Sequence, residues 1–170
     1  ANIDVVLLID RSGSMSASDP ENLRMLAAEF FVCLARLGDR VGVVGFDDWL
    51  GPVEPLRLLA SQADRDVLVD AIRQCTARRY TDISLALREG YNQLSQSPTS
   101  NPKGVILLTD GRQTASPYGD EANLYRDRGW KIYTIGWGEN VDVTFLQSIS
   151  DLTGGLYFYG FSCSALREIY

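Results

Sequence analysis

Two aspartates, two serines and a threonine stand where their side chains could bind a metal ion. They are Asp10, Ser12, Ser14, Thr81 and Asp110. Carboxylate, hydroxyl and water oxygens are the hard ligands that Mg²⁺, Mn²⁺ and Ca²⁺ prefer. Gly13 permits a tight turn, so the hydroxyls of Ser12 and Ser14 can face one point beside Asp10. These residue types predict a divalent cation site.

The elements that must position these residues follow from hydrophobic periodicity. Short apolar runs that predict buried strands cover 5–9, 41–46, 105–109, 132–137 and 156–160. A weaker run with two prolines, 52–59, suits a sheet edge. Helical patterns cover 19–37, 64–74, 81–94, 119–128, 143–152 and 164–170. Strands that alternate with helices predict an α/β fold with a parallel sheet between two helix layers.

The first of these helices has a recognisable beginning. Asp19 is predicted as its N-cap and Pro20 as its first helical residue, because proline is favoured at that position. Gly38 is expected to stop it.

In an open parallel sheet, ligands bind outside the carboxyl ends of the strands. Asp10 and Asp110 directly follow two predicted strands, and Thr81 opens a predicted helix. Neighbouring residues supply a candidate rim for contact with a partner: Arg11, Asp47, Arg78, Arg79, Tyr80 and Arg112. Its arginines predict a positive collar that favours an acidic ligand segment. Two other interpretations stay open: a solvated loop around Asp47, and a tyrosine, Tyr80, that covers the ion.

Composition excludes several classes of function. A length of 170 residues and an apolar fraction of 45% predict one domain with a real core. A net charge of −6 argues against a nucleic-acid partner. The chain has no histidine, which removes the commonest general base and the commonest zinc ligand. No run is long enough to span a membrane, and no signal peptide pattern is present, as expected of a module excised from a larger protein.

The three cysteines are widely spaced and form no CxxC motif. Cys33, Cys75 and Cys163 are predicted to be buried thiols, with Cys33 packed in the core. An oxidising compartment could pair two of them, and the sequence does not choose the pair.

The segments DRSGS (10–14), YTDI (80–83) and LLTDG (107–111) resemble the three-part metal-ion-dependent adhesion site, or MIDAS, of von Willebrand factor A domains. The strand, helix and glycine pattern resembles that family over essentially the whole chain, 1–170, as a single domain. The resemblance implies a doubly wound, mostly parallel sheet with one antiparallel edge strand. It also implies that Ser12, Ser14 and Thr81 are direct ligands, whereas Asp10 and Asp110 bind directly or through water. The segments LLIDRSGSM (7–15) and TGGLYFYG (153–160) look more like the prokaryotic-type branch of the family than like integrin inserted domains.

The family resemblance implies a binding module rather than an enzyme. The module would bind Mg²⁺ or Mn²⁺, with Ca²⁺ as a further option. An Asp or Glu carboxylate of a protein partner would complete the coordination shell of this ion. A shift of the C-terminal segment 164–170 would couple the metal site to affinity. We expect no nucleic-acid partner and no direct membrane insertion. The domain itself is expected to be monomeric, and the oligomeric state of the protein stays open. A cell-surface or extracellular parent protein is favoured, with an intracellular complex as the alternative.

Several other interpretations compete. Taken singly, Ser12, Ser14 and Thr81 are ordinary turn or helix-cap hydroxyls. The metal could also serve only to staple loops in an assembly domain. A Mg²⁺-dependent phosphatase of the haloacid dehalogenase type needs an aspartate where Ser12 stands, and a receiver domain needs a late lysine, whereas Lys103 and Lys131 precede their strands.

Overall fold

One sheet of six strands forms the centre of the computed structural model, which describes residues 1–115 and 117–160. The strands are β1 (Asp4–Asp10), β2 (Arg40–Phe46), β3 (Leu50–Leu58), β4 (Lys103–Thr109), β5 (Lys131–Gly136) and β6 (Tyr157–Tyr159). Their order is β3-β2-β1-β4-β5-β6. Every neighbouring pair is parallel except β2 and β3, which are antiparallel. The predicted doubly wound sheet with one antiparallel edge strand is confirmed.

The described helices are α1 (Met15–Ser18), α2 (Leu23–Leu34), α3 (Gln62–Arg73), α4 (Ile83–Ser95), α5 (Ala122–Arg128) and α6 (Val143–Thr153). The short α1 was not predicted, and α2 begins at Leu23 instead of Pro20. Asp19 does cap α2, but from four residues before it, because its carboxylate accepts hydrogen bonds from the N–H groups of Leu23 and Arg24 at 2.7 and 2.9 Å. The predicted helix at 164–170 lies outside the described residues.

β1 is buried on both faces. Val5, Leu7 and Ile9 point into a core with residues of α1, α2 and α3. Val6 and Leu8 point into a second core with residues of α4, α5 and α6. A strand covered by helices on both sides has no solvent face, which is why its sequence is continuously apolar rather than alternating.

α2 is more apolar than its contact with the sheet requires. Ala27 and Phe31 are buried, whereas Leu26 and Leu34 are largely exposed. The prediction that Cys33 is packed in the core is wrong, because this residue lies on the exposed side of α2. Cys75 is buried as predicted. Both thiols are free, and Cys163 lies outside the part of the chain that the structure describes.

The strand order places a crevice at the middle of the sheet. β1 has β2 on one side and β4 on the other, so the connections run in opposite directions from this point. The carboxyl ends of β1 and β4 therefore flank the position where doubly wound sheets bind their ligands. Among residues 1–115 and 117–160, no helix is both long and apolar enough to cross a bilayer.

Candidate metal centre

The first segment of the site is the loop from β1 to α1. Asp10 is fully buried, and its two carboxylate oxygens accept hydrogen bonds from the Ser12 N–H at 2.7 Å and the Thr109 hydroxyl at 2.5 Å. The hydroxyl oxygens of Ser12 and Ser14 lie 3.0 Å apart. Ser14 occupies the N-cap position of α1, yet its side chain forms no capping hydrogen bond. Its hydroxyl is therefore not explained as a helix cap.

The second segment precedes α4. Thr81 is buried, and its backbone is fixed by hydrogen bonds with Thr114, whose hydroxyl accepts from the Thr81 N–H at 2.8 Å. The N-cap of α4 is the next residue, Asp82, which accepts from the Leu85 N–H at 3.0 Å. The cap interpretation of Thr81 is wrong for this reason. Within the described residues, the Thr81 hydroxyl has no hydrogen-bond partner.

The third segment follows β4. Asp110 is buried, and its carboxylate accepts hydrogen bonds from the Arg112 N–H at 3.1 Å and the Ser18 hydroxyl at 3.3 Å. Gly111 has a φ of +78°, a left-handed conformation that glycine adopts at low cost, and it turns the chain sharply. The Asp110 carbonyl accepts from the Asp142 N–H at 2.9 Å, which fixes this turn against the start of α6.

Backbone contacts hold the three segments together. The Gly13 N–H donates to the Arg79 carbonyl at 2.6 Å, and the Arg78 N–H donates to the Arg11 carbonyl at 2.6 Å. The residues before Thr81 therefore lie directly on the loop that carries the two serines. Ser18 connects this loop to Asp110. All five predicted ligands thus belong to segments that meet at the crevice between β1 and β4.

The charges of this site favour a cation. The pKa of Asp10 is raised to about 6, mainly by burial and also by the charge of Asp110, although hydrogen bonds from Ser12 and Thr109 oppose this shift. In the described part of the chain, neither aspartate forms an ion pair with a lysine or arginine. Two buried carboxylates without a counter-ion fit a divalent cation.

The donor set also limits which cation fits. It contains two carboxylates and three hydroxyls, and the described residues contain no group of three or more His, Cys, Asp or Glu that could hold a metal. Hard oxygen donors suit Mg²⁺, Mn²⁺ or Ca²⁺. Because most of the donors are neutral, a bound ion would keep much of its charge.

Arg24 supports the site and was missed in the sequence. Its fully buried guanidinium donates to the Asp10 carbonyl at 2.6 Å, to the Asp19 carboxylate at 2.9 Å and to the Cys75 carbonyl at 3.2 Å. It therefore joins the end of β1, the cap of α2 and the segment that leads to Thr81. Arg24 lies three and seven residues before the buried Ala27 and Phe31, so the helical period places it on the buried face of α2. This spacing was the signal in the sequence that could have identified it.

The side chains of the predicted rim differ in their exposure and in their contacts. Arg78, Arg79, Tyr80 and Arg112 are exposed. The Arg112 guanidinium donates to the Asn140 carbonyl at 3.0 Å.

Asp47 corrects both predictions made for it, a rim contact and a solvated loop. It is only 2% exposed, and its carboxylate binds the Arg11 guanidinium at 3.2 Å and the Trp49 N–H at 2.7 Å. Arg11 also donates to the Gly51 carbonyl. The turn after β2 folds this carboxylate inward, where it is engaged by Arg11 and the Trp49 N–H.

Comparison with known proteins adds a family to this geometry. A model of the von Willebrand factor type A domain matches residues 4–170. The chain is 32% identical over 157 residues to calcium-activated chloride channel regulator 1 of Mus musculus. This alignment covers 91% of this chain and 17% of that protein. It is 30% identical over 154 residues to the collagen alpha-6(VI) chain of Homo sapiens, which covers 85% of this chain and 7% of the collagen. The chain thus corresponds to a small part of both relatives.

A solved structure shares the fold. Proximal thread matrix protein 1 of the mussel byssus, with a zinc-occupied MIDAS motif, superposes with a TM-score of 0.75 at 23% identity. The match covers 99% of this chain and 46% of the mussel chain.

Proposed function

The chain belongs to the von Willebrand factor type A family, and we propose that it is a protein-binding module that works through a divalent metal ion. The observation that carries this proposal is the pair of buried carboxylates, Asp10 and Asp110, which have no counter-ion among the described residues and belong to the same group of segments as the paired hydroxyls of Ser12 and Ser14 and the hydroxyl of Thr81. Ser12, Ser14 and Thr81 would hold Mg²⁺ or Mn²⁺, or Ca²⁺, through their hydroxyls. The two aspartates would bind directly or through water.

The ion would supply an electrophilic site for a carboxylate of the partner. A shell made mostly of neutral hydroxyls neutralises little of the ion's charge, so an Asp or Glu from outside is attracted to it. Asp10 and Asp110, held by hydrogen bonds from Thr109 and Ser18, would orient the hydroxyls and waters around the ion. The proposed partner is a protein that presents an acidic residue.

The relatives support this class of function. A collagen chain and a byssal matrix protein carry domains similar to this one, and the name of the mussel structure records a metal in the MIDAS motif. We propose that the domain belongs to a larger protein at the cell surface or outside the cell, and that it acts as a monomeric unit without catalytic activity.

The alternative in which the ion only staples the loops has less support. Backbone hydrogen bonds from Gly13 to Arg79 and from Arg78 to Arg11 already join these loops through protein atoms alone. A staple would add little at this place.

Calorimetry with chelator-treated protein tests the proposal. We expect Mg²⁺ and Mn²⁺ to bind the unmodified domain in a one-to-one ratio, and the double variant Ser12→Ala/Ser14→Ala to lose this binding. Ser16→Ala is the matched control, because Ser16 is an exposed serine only two residues after Ser14. Equal metal binding by the double variant and the control would contradict the assignment of the site.

A further inference from the structure

A basic cleft lies beside the candidate metal centre. It has a volume of about 400 Å³ and is lined by Arg11, Asp47, Trp49, Leu50, Arg78 and Arg79. We propose that this arginine cleft binds an acidic segment of the partner, adjacent to the carboxylate that reaches the metal. The inference rests on the proposed function for the position of that carboxylate, but the cleft has properties of its own that can be tested separately.

The cleft and the metal centre share one piece of backbone. The Arg79 carbonyl accepts from the Gly13 N–H at 2.6 Å, and Gly13 lies between Ser12 and Ser14. Ser12 and Arg79 also pair as an isolated β-bridge. A peptide with one carboxylate at the serines would therefore have its neighbouring residues within reach of Arg78 and Arg79.

The charge of the cleft comes from two arginines. The Arg11 guanidinium is neutralised by the buried Asp47 carboxylate. Arg78 and Arg79 are exposed, and neither has a carboxylate partner in the described residues. Two adjacent uncompensated guanidinium groups on a domain of net charge −6 form a local positive surface. Arginine binds carboxylates with paired hydrogen bonds, so acidic side chains complement this surface.

The walls of the cleft match the composition of protein interfaces. Trp49 is 69% exposed and Tyr80, next to Arg79, is 66% exposed. Tryptophan, tyrosine and arginine are the residues that most often dominate binding energy at interfaces. The opposite flank of the metal centre differs, because the described residues that line a cavity there include Trp137, Glu139 and Tyr159 but no arginine, and the single Arg112 lies beside it through its hydrogen bond to the Asn140 carbonyl. Acidic residues of the partner should therefore extend preferentially towards Arg78 and Arg79, where two arginines lie together.

Two fluorescein-labelled decapeptides provide the test by fluorescence anisotropy in saturating Mg²⁺. One contains ten glutamates, and the other contains a single central glutamate among glycine and serine. Both offer a carboxylate to the ion, but only the first offers further charges to the cleft. We expect the ten-glutamate peptide to bind more tightly. Arg78→Glu/Arg79→Glu should weaken it about tenfold or more, equivalent to about 1.4 kcal/mol, and change the single-glutamate peptide less than about twofold.

Arg126→Glu/Arg128→Glu is the matched control. Both residues are exposed at the end of α5, and the pair changes the net charge by the same amount. Equal weakening by both double variants would overturn the inference, since overall charge would then explain the effect. It would also be overturned if the ten-glutamate peptide did not bind, or bound no better than the single-glutamate peptide.

A chelator arm separates this inference from the proposed function. Loss of both peptides in chelator, with the arginine dependence present in Mg²⁺, supports the two proposals together. Binding of the ten-glutamate peptide that survives chelator and still needs Arg78 and Arg79 supports the cleft and contradicts the metal-dependent function.

Discussion

Replacing Arg24 by methionine should destabilise the fold more than any substitution at the rim. The guanidinium is completely buried and forms an ion pair with Asp19 at 2.9 Å, in which both side chains are almost free of solvent. It also donates to the carbonyls of Asp10 and Cys75. Methionine has a similar length and is apolar, so Arg24→Met removes the charge and all of these hydrogen bonds without leaving a large cavity.

The size of the loss in stability follows from the Asp19 carboxylate, which stays buried without its partner. Removing one member of a buried ion pair costs about 3–5 kcal/mol, because the other charge stays buried and uncompensated. A domain of this kind has a total stability of about 5–15 kcal/mol, so the variant loses a large fraction of it. Asp19 keeps the hydrogen bonds from the backbone N–H groups of residues 23 and 24, which places the loss towards the lower end of the range.

Urea unfolding of chelator-treated protein, followed by circular dichroism, measures the loss. The second variant, Arg24→Met/Asp19→Asn, removes both charges of this pair and should recover at least about 1 kcal/mol of the loss, because no uncompensated charge remains at this place, even though the single amide oxygen of asparagine accepts only one of the two backbone hydrogen bonds. The exposed Arg78→Met, on the rim of the site, should change stability by less than about 0.5 kcal/mol. A loss below about 1 kcal/mol in Arg24→Met, or no recovery in the double variant, would refute the reasoning about the buried pair.

Two further predictions concern the opposite end of β1 and the thiols. Burial raises the pKa of Asp4, but hydrogen bonds from Ser97, Thr99, Asn101 and Lys103 outweigh it and hold this pKa below its usual value. Asp4 therefore stabilises the fold above about pH 4 and loses this effect as the pH falls through its lowered pKa. In urea unfolding, Asp4→Asn should lower the free energy of unfolding by about 1–3 kcal/mol near neutral pH and by clearly less near pH 2. A cost that does not depend on pH would contradict this. Iodoacetamide should modify the exposed Cys33 rapidly and Cys75 only on unfolding, because burial raises the pKa of the Cys75 thiol to about 12; peptide mass mapping distinguishes the two, and equal rates in the native protein would show that Cys75 is accessible.

The fold could be predicted in detail because its signals are local. A strand covered on both faces must be apolar at every position, and the runs at 5–9 and 105–109 fall inside β1 and β4. Proline cannot donate to a sheet ladder, so the run with Pro52 and Pro55 had to lie at an edge, as β3 does. The beginning of α2 was missed because Asp19 reaches forward to Leu23, a contact that the proline signal does not reveal.

That the candidate ligands lie on segments that meet at one crevice could also be predicted from the sequence, since these segments end a strand, follow one or precede a helix. Their surroundings could not. Arg24 contacts Cys75 across 51 residues, and Arg11 contacts Asp47 across 36 residues. Cys33 was misplaced for a related reason, because an apolar helix does not itself say which of its faces meets the sheet.

These long-range pairs decide which charges of the rim act on a partner. From sequence alone, the arginines of the collar are equivalent. In the structure, Asp47 neutralises Arg11, whereas Arg112, on the other side of the site, donates to the neutral Asn140 carbonyl and keeps its charge. Arg78 and Arg79 keep their full charge because no carboxylate in the described residues reaches them. The positive charge available to a partner is thus greater on the flank that carries Arg78 and Arg79 than on the flank of the single Arg112, and this asymmetry gives a bound acidic segment a preferred direction.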